Sequence, residues 1–339
     1  MRAKHLAYLG FMSSFLACGS AFASPNVVTS IKPLNSIVAA IMQGAGTPEL
    51  LVEGAGSPHN YSLKPSKAEA LQHADVVFWI GPGLEAFLDK PLDALAGKAK
   101  VVEMEHAKGV KLLPTRQGGT FEPHMHDEDH DAAEGGEHHD ADHAHDEHAH
   151  DAQAHDEQAH DEHHEHDEAF DMHIWLDPNN AKAMAKTVAD TLSQQDAANA
   201  ALYAKNLAAF DASVDALDKK LAAQLAPVRG KPFIVFHDGY QYFEHHYKIT
   251  VAGSITVSPE TAPGAKRVAE IHAKVKELGA TCVFAEPQFT PKLISVVAEG
   301  TKARTGVLDP LGTDLKDGPD LYPALMTNMA NAISTCLKG

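Results

Sequence analysis

The sequence predicts an α/β protein of two lobes, each with a parallel β-sheet flanked by helices, joined by one long rigid helix. Two observations carry the prediction. On either side of a histidine-rich stretch, short β-branched or apolar runs of strand length alternate with longer segments of helical periodicity, the pattern of parallel sheets covered by helices. Between these halves, Asn199 to Leu225 is alanine-rich and free of Gly and Pro, and it carries apolar residues at Leu202, Leu207, Phe210, Val214, Leu217, Leu221 and Leu225. That is a helical stripe about 40 Å long at 1.5 Å per residue, and it stops at Pro227.

In chain order, the first half offers strands at Val27–Ile31, Leu50–Val52, Val76–Ile80 and Val101–Glu103, with helices near Leu34–Met42, Ser66–Gln72 and Leu84–Leu95. The second offers strands at Phe233–Phe236, Thr250–Gly253, Cys282–Ala285 and Val307–Leu308, with helices near Gln241–His246, Ala265–Leu278, Pro291–Thr305 and Tyr322–Leu337. The chain therefore divides into a leader over 1–23, an N-terminal lobe over 24–198, the linking helix over 199–226 and a C-terminal lobe over 227–339. More than one core is expected at this length.

The leader has the form of an export signal. Arg2 and Lys4 precede an apolar run, Leu6 to Ala17, and Ala21-Phe22-Ala23 is a small-x-small cleavage site. Cleavage after Ala23 predicts a periplasmic protein without membrane insertion, since the run is too short to span and no later stretch reaches about 18 apolar residues. Cys18 leaves open a lipoprotein reading, in which Phe15 stands where Leu is usual. The exported chain keeps Cys282 and Cys336. An even count in an oxidising compartment points to a disulfide, the alternative being two buried reduced thiols.

Net charge is −18, yet from Phe121 to Asp171 there are 20 Asp and Glu with no Lys or Arg, so the remainder of the chain is near neutral. No basic stripe with interleaved aromatics occurs, which argues against nucleic acid. The acidic stretch holds 14 histidines, among them His143, His145, His148, His150, His155, His160, His163, His164 and His166, partly in a tandem pentad that begins at Ala144. Five residues advance a helix by about 140° beyond one turn, so a preformed metal face does not result. With nothing apolar to bury, disorder over about 121–171 is expected. Mostly neutral at pH 7, these imidazoles suit weak, exchangeable metal capture, set against an inert solvated spacer.

Three histidines stand in another context. His59 lies in the turn-rich "GAGSPHNYSLKPS", His173 in "DMHIWLDP" where the acidic stretch ends, and His237 closes the strand "FIVFHDG". Each would project from a connection or strand end into the crevice where open α/β sheets place ligands. A metal site built from all three would lie in the inter-lobe cleft. Singly, each is more often a hydrogen-bonded structural residue than a ligand. Asp309, in "GVLDPLG", ends another strand; it is a fourth ligand, an acceptor for an imidazole N–H, or a turn residue before Pro310.

These segments, with "ADVVFWIGPGLEAFLDKP", "TCVFAEPQF" and "LDPLGTDL", resemble the zinc-binding proteins of bacterial high-affinity zinc ABC importers over essentially the whole exported chain. The resemblance implies a receptor that binds one Zn²⁺ in the cleft through His59, His173 and His237 and passes it to an inner-membrane permease. It also implies a Cys282–Cys336 disulfide. Pro58 departs from members with glutamate before the first histidine, and water is the expected fourth ligand. Three imidazoles favour zinc over manganese. Manganese- or iron-binding relatives of the same family are the alternative reading. A zinc hydrolase would need a base such as Glu53, Asp238 or Glu286, none of which stands in a hydrolase signature. Adhesion is known among relatives, but no residue here points to it. A monomer is expected.

Overall fold

The computed structural model describes residues 24–116, 118, 120–121, 170–256, 259, 262–279 and 281–339. The leader with its Ala23 cleavage site and Cys18, and the auxiliary histidines from His143 to His166, lie outside the described residues.

The first half builds a sheet from β1 (Val27–Thr29), β2 (Glu49–Leu50), β3 (Val76–Trp79) and β4 (Lys100–Glu103). Their order is β2-β1-β3-β4, and all neighbours are parallel. Helices α1 (Lys32–Ile41), α2 (Pro65–Gln72) and α3 (Asp89–Leu95) intervene. A two-residue antiparallel ribbon follows, β5 (Leu113–Pro114) with β6 (Phe170–Asp171), then α4 (Pro178–Gln195) and the long α5 (Ala200–Leu225). The second half repeats the first plan. Strands β7 (Pro232–His237), β8 (Thr250–Thr256), β9 (Cys282–Ala285) and β10 (Arg304–Val307) lie in the order β10-β9-β7-β8, again all parallel. Around them pack α6 (Gln241–Tyr247), α7 (Ala265–Leu278), α8 (Lys292–Ala298) and α9 (Leu321–Lys338).

The inner strands of both sheets are buried on both faces, and alternation along each sorts the side chains. In β3, Val76 and Phe78 face a central cluster, while Val77 and Trp79 face an outer one with Leu71, Leu88 and Leu92. In β7, Phe233 and Val235 face the same central cluster, and Ile234 and Phe236 an outer one with Ile271 and Val275. The central cluster therefore draws on both sheets, with Tyr203, Phe210, Val214, Leu221 and Leu225 of α5 as its spine. Helix α9 returns from the second half onto this spine, contributing Leu325, Met329 and Ile333. Polar ties reinforce the joint. Lys32 Nζ donates to the carbonyls of Thr313 and Leu315 at 2.9 and 2.8 Å, and Tyr322 Oη donates to the Trp175 carbonyl at 3.0 Å. Opening the halves widely would expose this shared apolar surface, so the spine resists a large hinge motion.

Three elements differ from the sequence reading. Helix α8 ends at Ala298, with Gly300 at φ +64°, and Arg304–Val307, partly assigned to a helix above, pairs with β9 as β10. Helix α4 was absent from the reading because half of its buried apolar stripe is alanine, Ala181, Ala185 and Ala189 beside Met184, Val188 and Leu192. Its helical spacing is regular, but alanine is a weak apolar signal. The ribbon β5–β6 joins segments separated by the whole acidic stretch, a pairing no local pattern encodes.

Cys282 in β9 and Cys336 in α9 form a disulfide across a sequence separation of 54. On the chain-entropy account, closing such a loop stabilises the fold by about 4 kcal/mol. The double variant Cys282→Ser/Cys336→Ser should lose about 2–4 kcal/mol in urea unfolding, and the oxidised protein should weigh about 2 Da less than the reduced one.

Candidate metal centre

His237 is the last residue of β7, where the parallel sheet presents its carboxyl ends. Glu286 follows the neighbouring β9 and meets it. His237 Nδ1 lies 2.6 Å from Glu286 Oε1, and the His237 backbone N–H donates to the same oxygen at 3.3 Å. His173 sits just past β6 and is held in the same way from its own segment: Asp171 Oδ1 lies 2.8 Å from His173 Nδ1 and accepts the His173 backbone N–H at 3.0 Å. Both histidines and both carboxylates are buried. A carboxylate only accepts, so each Nδ1 carries a proton and Nε2 is left as the nitrogen that a second proton or a metal ion can occupy. Those two Nε2 atoms face each other at 3.1 Å, within hydrogen-bond distance. With both unprotonated, two lone pairs at that distance repel; a proton on one, or a metal ion between them, relieves the repulsion.

His59 completes the group from the short turn Pro58–Asn60 after β2, where Pro58 presets the backbone at the start of the turn. Its ring centroid stands 5.5 Å from that of His173 and 5.6 Å from that of His237. Its Nε2 is buried with no hydrogen-bond partner. The ligand atoms of His59, His173 and His237 all lie within 4.8 Å of one another. A tetrahedral zinc with Zn–N of 2.0–2.1 Å needs donor nitrogens about 3.4 Å apart, close to the 3.1 Å between the His173 and His237 Nε2 atoms.

The electrostatics divide the imidazoles. Burial, helped by the charges of His173 and His237 when protonated, pushes the His59 pKa well below its ordinary value. Burial also works against a charged His237, but the Glu286 carboxylate outweighs it and raises the pKa. Residue 239 must be glycine for the two rings to stand where they do: a Cβ there would stand 2.8 Å from His173 Nε2 and overlap His237 Nε2. Trp175, buried beside the group, has its ring centroid 5.2 Å from that of His173 and donates its indole N–H to the Pro310 carbonyl at 2.9 Å.

Asp309 has other partners. Its Oδ1 accepts the backbone N–H groups of Leu311 and Gly312 at 3.0 and 3.1 Å and the Gln288 amide at 2.9 Å, while Oδ2 accepts the Thr313 N–H at 2.6 Å. It is the turn-stabilising residue among the three roles considered. The carboxylates that orient imidazoles are Asp171 and Glu286, which the sequence reading did not assign to that role. The signal for Asp171 was its place two residues before His173; Glu286 is recognisable once β9 is known to neighbour β7. Glu53 pairs with Lys67 at 2.8 Å, and Asp238 with Arg116.

The family model described as "Zinc-uptake complex component A periplasmic" matches residues 27–336. The chain is 55% identical over 339 residues to the high-affinity zinc uptake system protein ZnuA of Brucella suis biovar 1, covering 99% of both chains. It is 40% identical over 317 residues to that of Yersinia pestis, covering 93% of this chain and 92% of that one. A crystal structure of ZnuA superposes with a TM-score of 0.70 at 25% identity, covering 93% of this chain and 99% of that chain. With a match over nearly the whole length and the same α/β architecture, the chain belongs to the family of periplasmic A components of zinc-uptake complexes.

Proposed function

We propose that this chain is the periplasmic receptor of a zinc ABC importer, that His59, His173 and His237 bind one Zn²⁺ through their Nε2 atoms, and that the ion is then passed to an inner-membrane permease. The observation that carries the reading is the convergence of three imidazoles, two of them fixed by carboxylates with their Nε2 lone pairs turned inward. Three nitrogen donors suit a borderline cation, and water completes four-coordination. Manganese prefers oxygen-rich sets and sits lower in the affinity order for divalent ions. Metal analysis of the purified protein, with Zn²⁺ and Mn²⁺ in competition, tests the assignment. Zinc retained over manganese is expected; the reverse would favour a manganese- or iron-binding receptor.

The reading extends to parts of the chain that the comparisons leave open. Export with cleavage after Ala23 fits the periplasmic family, and no helix among the described residues is long and apolar enough to cross a membrane. We assign the chain no catalytic role: the three carboxylates considered as bases are engaged by Lys67, Arg116 and His237. A monomer is proposed, with the histidines from His143 to His166 as weak auxiliary zinc ligands. Deleting residues 122–168 should then remove the weak equivalents and keep one tight site, as calorimetry would record.

His59→Ala, His173→Ala and His237→Ala should each weaken the tight site by at least about 100-fold, more than the loss usual on removing an orienting residue; competition with a chromophoric chelator reads the loss. Protons compete for the same nitrogens. His59 with its lowered pKa is already neutral, whereas the raised pKa of His237 means that zinc must displace a proton there below and somewhat above pH 6.5. Affinity should therefore fall as pH drops through that range, by about tenfold per unit for each proton displaced. Titrations at stepped pH, reporting the proton release per zinc, measure it.

A further inference from the structure

The two ends of the acidic stretch meet in the ribbon β5–β6, with Leu113 opposite Asp171 and Pro114 opposite Phe170. One end of this ribbon carries Asp171, which orients His173. Two residues beyond the other end stands Arg116, which reaches the residue immediately after His237. Arg116 Nε donates to Asp238 Oδ2 at 3.1 Å, Nη2 donates to Asp238 Oδ1, and Nη1 donates to Glu244 Oε2 at 2.6 Å. The side chains of this clasp are 20%, 8% and 16% exposed for Arg116, Asp238 and Glu244. Its guanidinium also lies over the Phe121 ring, 4.1 Å from the centroid. The ribbon itself rests on α6, the helix that follows His237. Tyr242 Oη accepts the Leu113 N–H at 2.9 Å and donates to the Asp171 carbonyl at 2.7 Å, while Gln241 Nε2 donates to the Pro114 carbonyl at 3.0 Å. Beyond Arg116, Thr120 continues onto the edge strand β8, its hydroxyl donating to the Ala252 carbonyl at 2.5 Å and its carbonyl accepting the Ser254 N–H at 3.4 Å.

We propose that this ribbon sets the approach of His173 to His237, and that Arg116 is a positioning residue for zinc binding. The proposal rests on the receptor reading above. Arg116 touches no imidazole. It acts through Asp238 and the Asp238–Gly239 turn, where Gly239 closes against the His173 and His237 nitrogens and its N–H donates to the His237 carbonyl at 3.0 Å. The fork fixes both Asp238 oxygens in one plane. Without the guanidinium, two largely buried carboxylates, Asp238 and Glu244, would lose their shared counter-charge and draw water or move apart. Either response shifts the turn carrying Gly239 and changes the path of His237 toward the other two rings. The contacts around Tyr242 place β6 and α6 in one frame, so histidines 64 positions apart in the chain are held against the same small element.

The test uses the full exported chain loaded with one equivalent of Zn²⁺, with release to a chromophoric chelator followed by stopped flow. Arg116→Gln should release zinc about 10–100-fold faster, the range for groups that orient ligands. Arg116→Gln/Asp238→Asn should release it no faster than the quicker of the two single variants, because the pair acts as one unit. Lys182→Gln, which breaks the exposed ion pair with Asp215 and makes the same charge change, should keep the parent rate. Should Arg116→Gln fail to fold, as judged by near-ultraviolet dichroism, Asp238→Asn carries the comparison alone and should itself speed release. Release by the folded variant within about twofold of the parent, or fully additive effects in the double variant, would overturn the positioning role. A parent chain that holds no tight zinc is a separate result and would overturn the receptor reading itself.

Discussion

The structure depends on one constraint: three imidazoles from distant parts of the chain must turn ring nitrogens to a common point. The Nε2 atoms of His173 and His237, 3.1 Å apart, would repel if both were unprotonated and carried no metal between them. The arrangement persists because each ring is fixed from behind, by Asp171 and by Glu286, and because the two halves that carry them share one apolar core. The polar locks set ring orientation; the core sets the separation of the halves. Neither alone would place a cation.

This division of labour explains why the joint between the halves is stiff. Helix α5 runs its buried face through the central cluster, α9 returns across it, and a disulfide ties α9 to β9 of the second sheet. A metal site assembled from both halves gains affinity when its ligands need little ordering on binding. On the proposed function, the same stiffness leaves release to small changes near the rings, at the Asp238–Gly239 turn among them.

Much of this was readable from residues alone. β-Branched strand runs, the periodic helices and the unbroken Asn199–Leu225 stripe are local patterns, and they reappear as two parallel sheets and a long helix. The three histidines could be singled out because each stands at a strand end or ordered turn, apart from the repetitive acidic stretch. What escaped was non-local or chemically quiet. Helix α4 hides behind alanine, and β10 starts where the preceding helix seemed to continue. Glu286 becomes an orienting group only once β9 is placed beside β7. Asp309 shows the reverse case: a strand-end carboxylate near the crevice in sequence, bonded in the fold to its own turn.

The most direct measurement of the central claim is an anomalous difference map at the zinc edge from crystals grown with one equivalent of Zn²⁺. The account predicts one dominant peak about 2.0–2.1 Å from Nε2 of each of His59, His173 and His237, with a single light atom completing a tetrahedron. A dominant peak bound by fewer than all three of these histidines, or placed away from them, would contradict it.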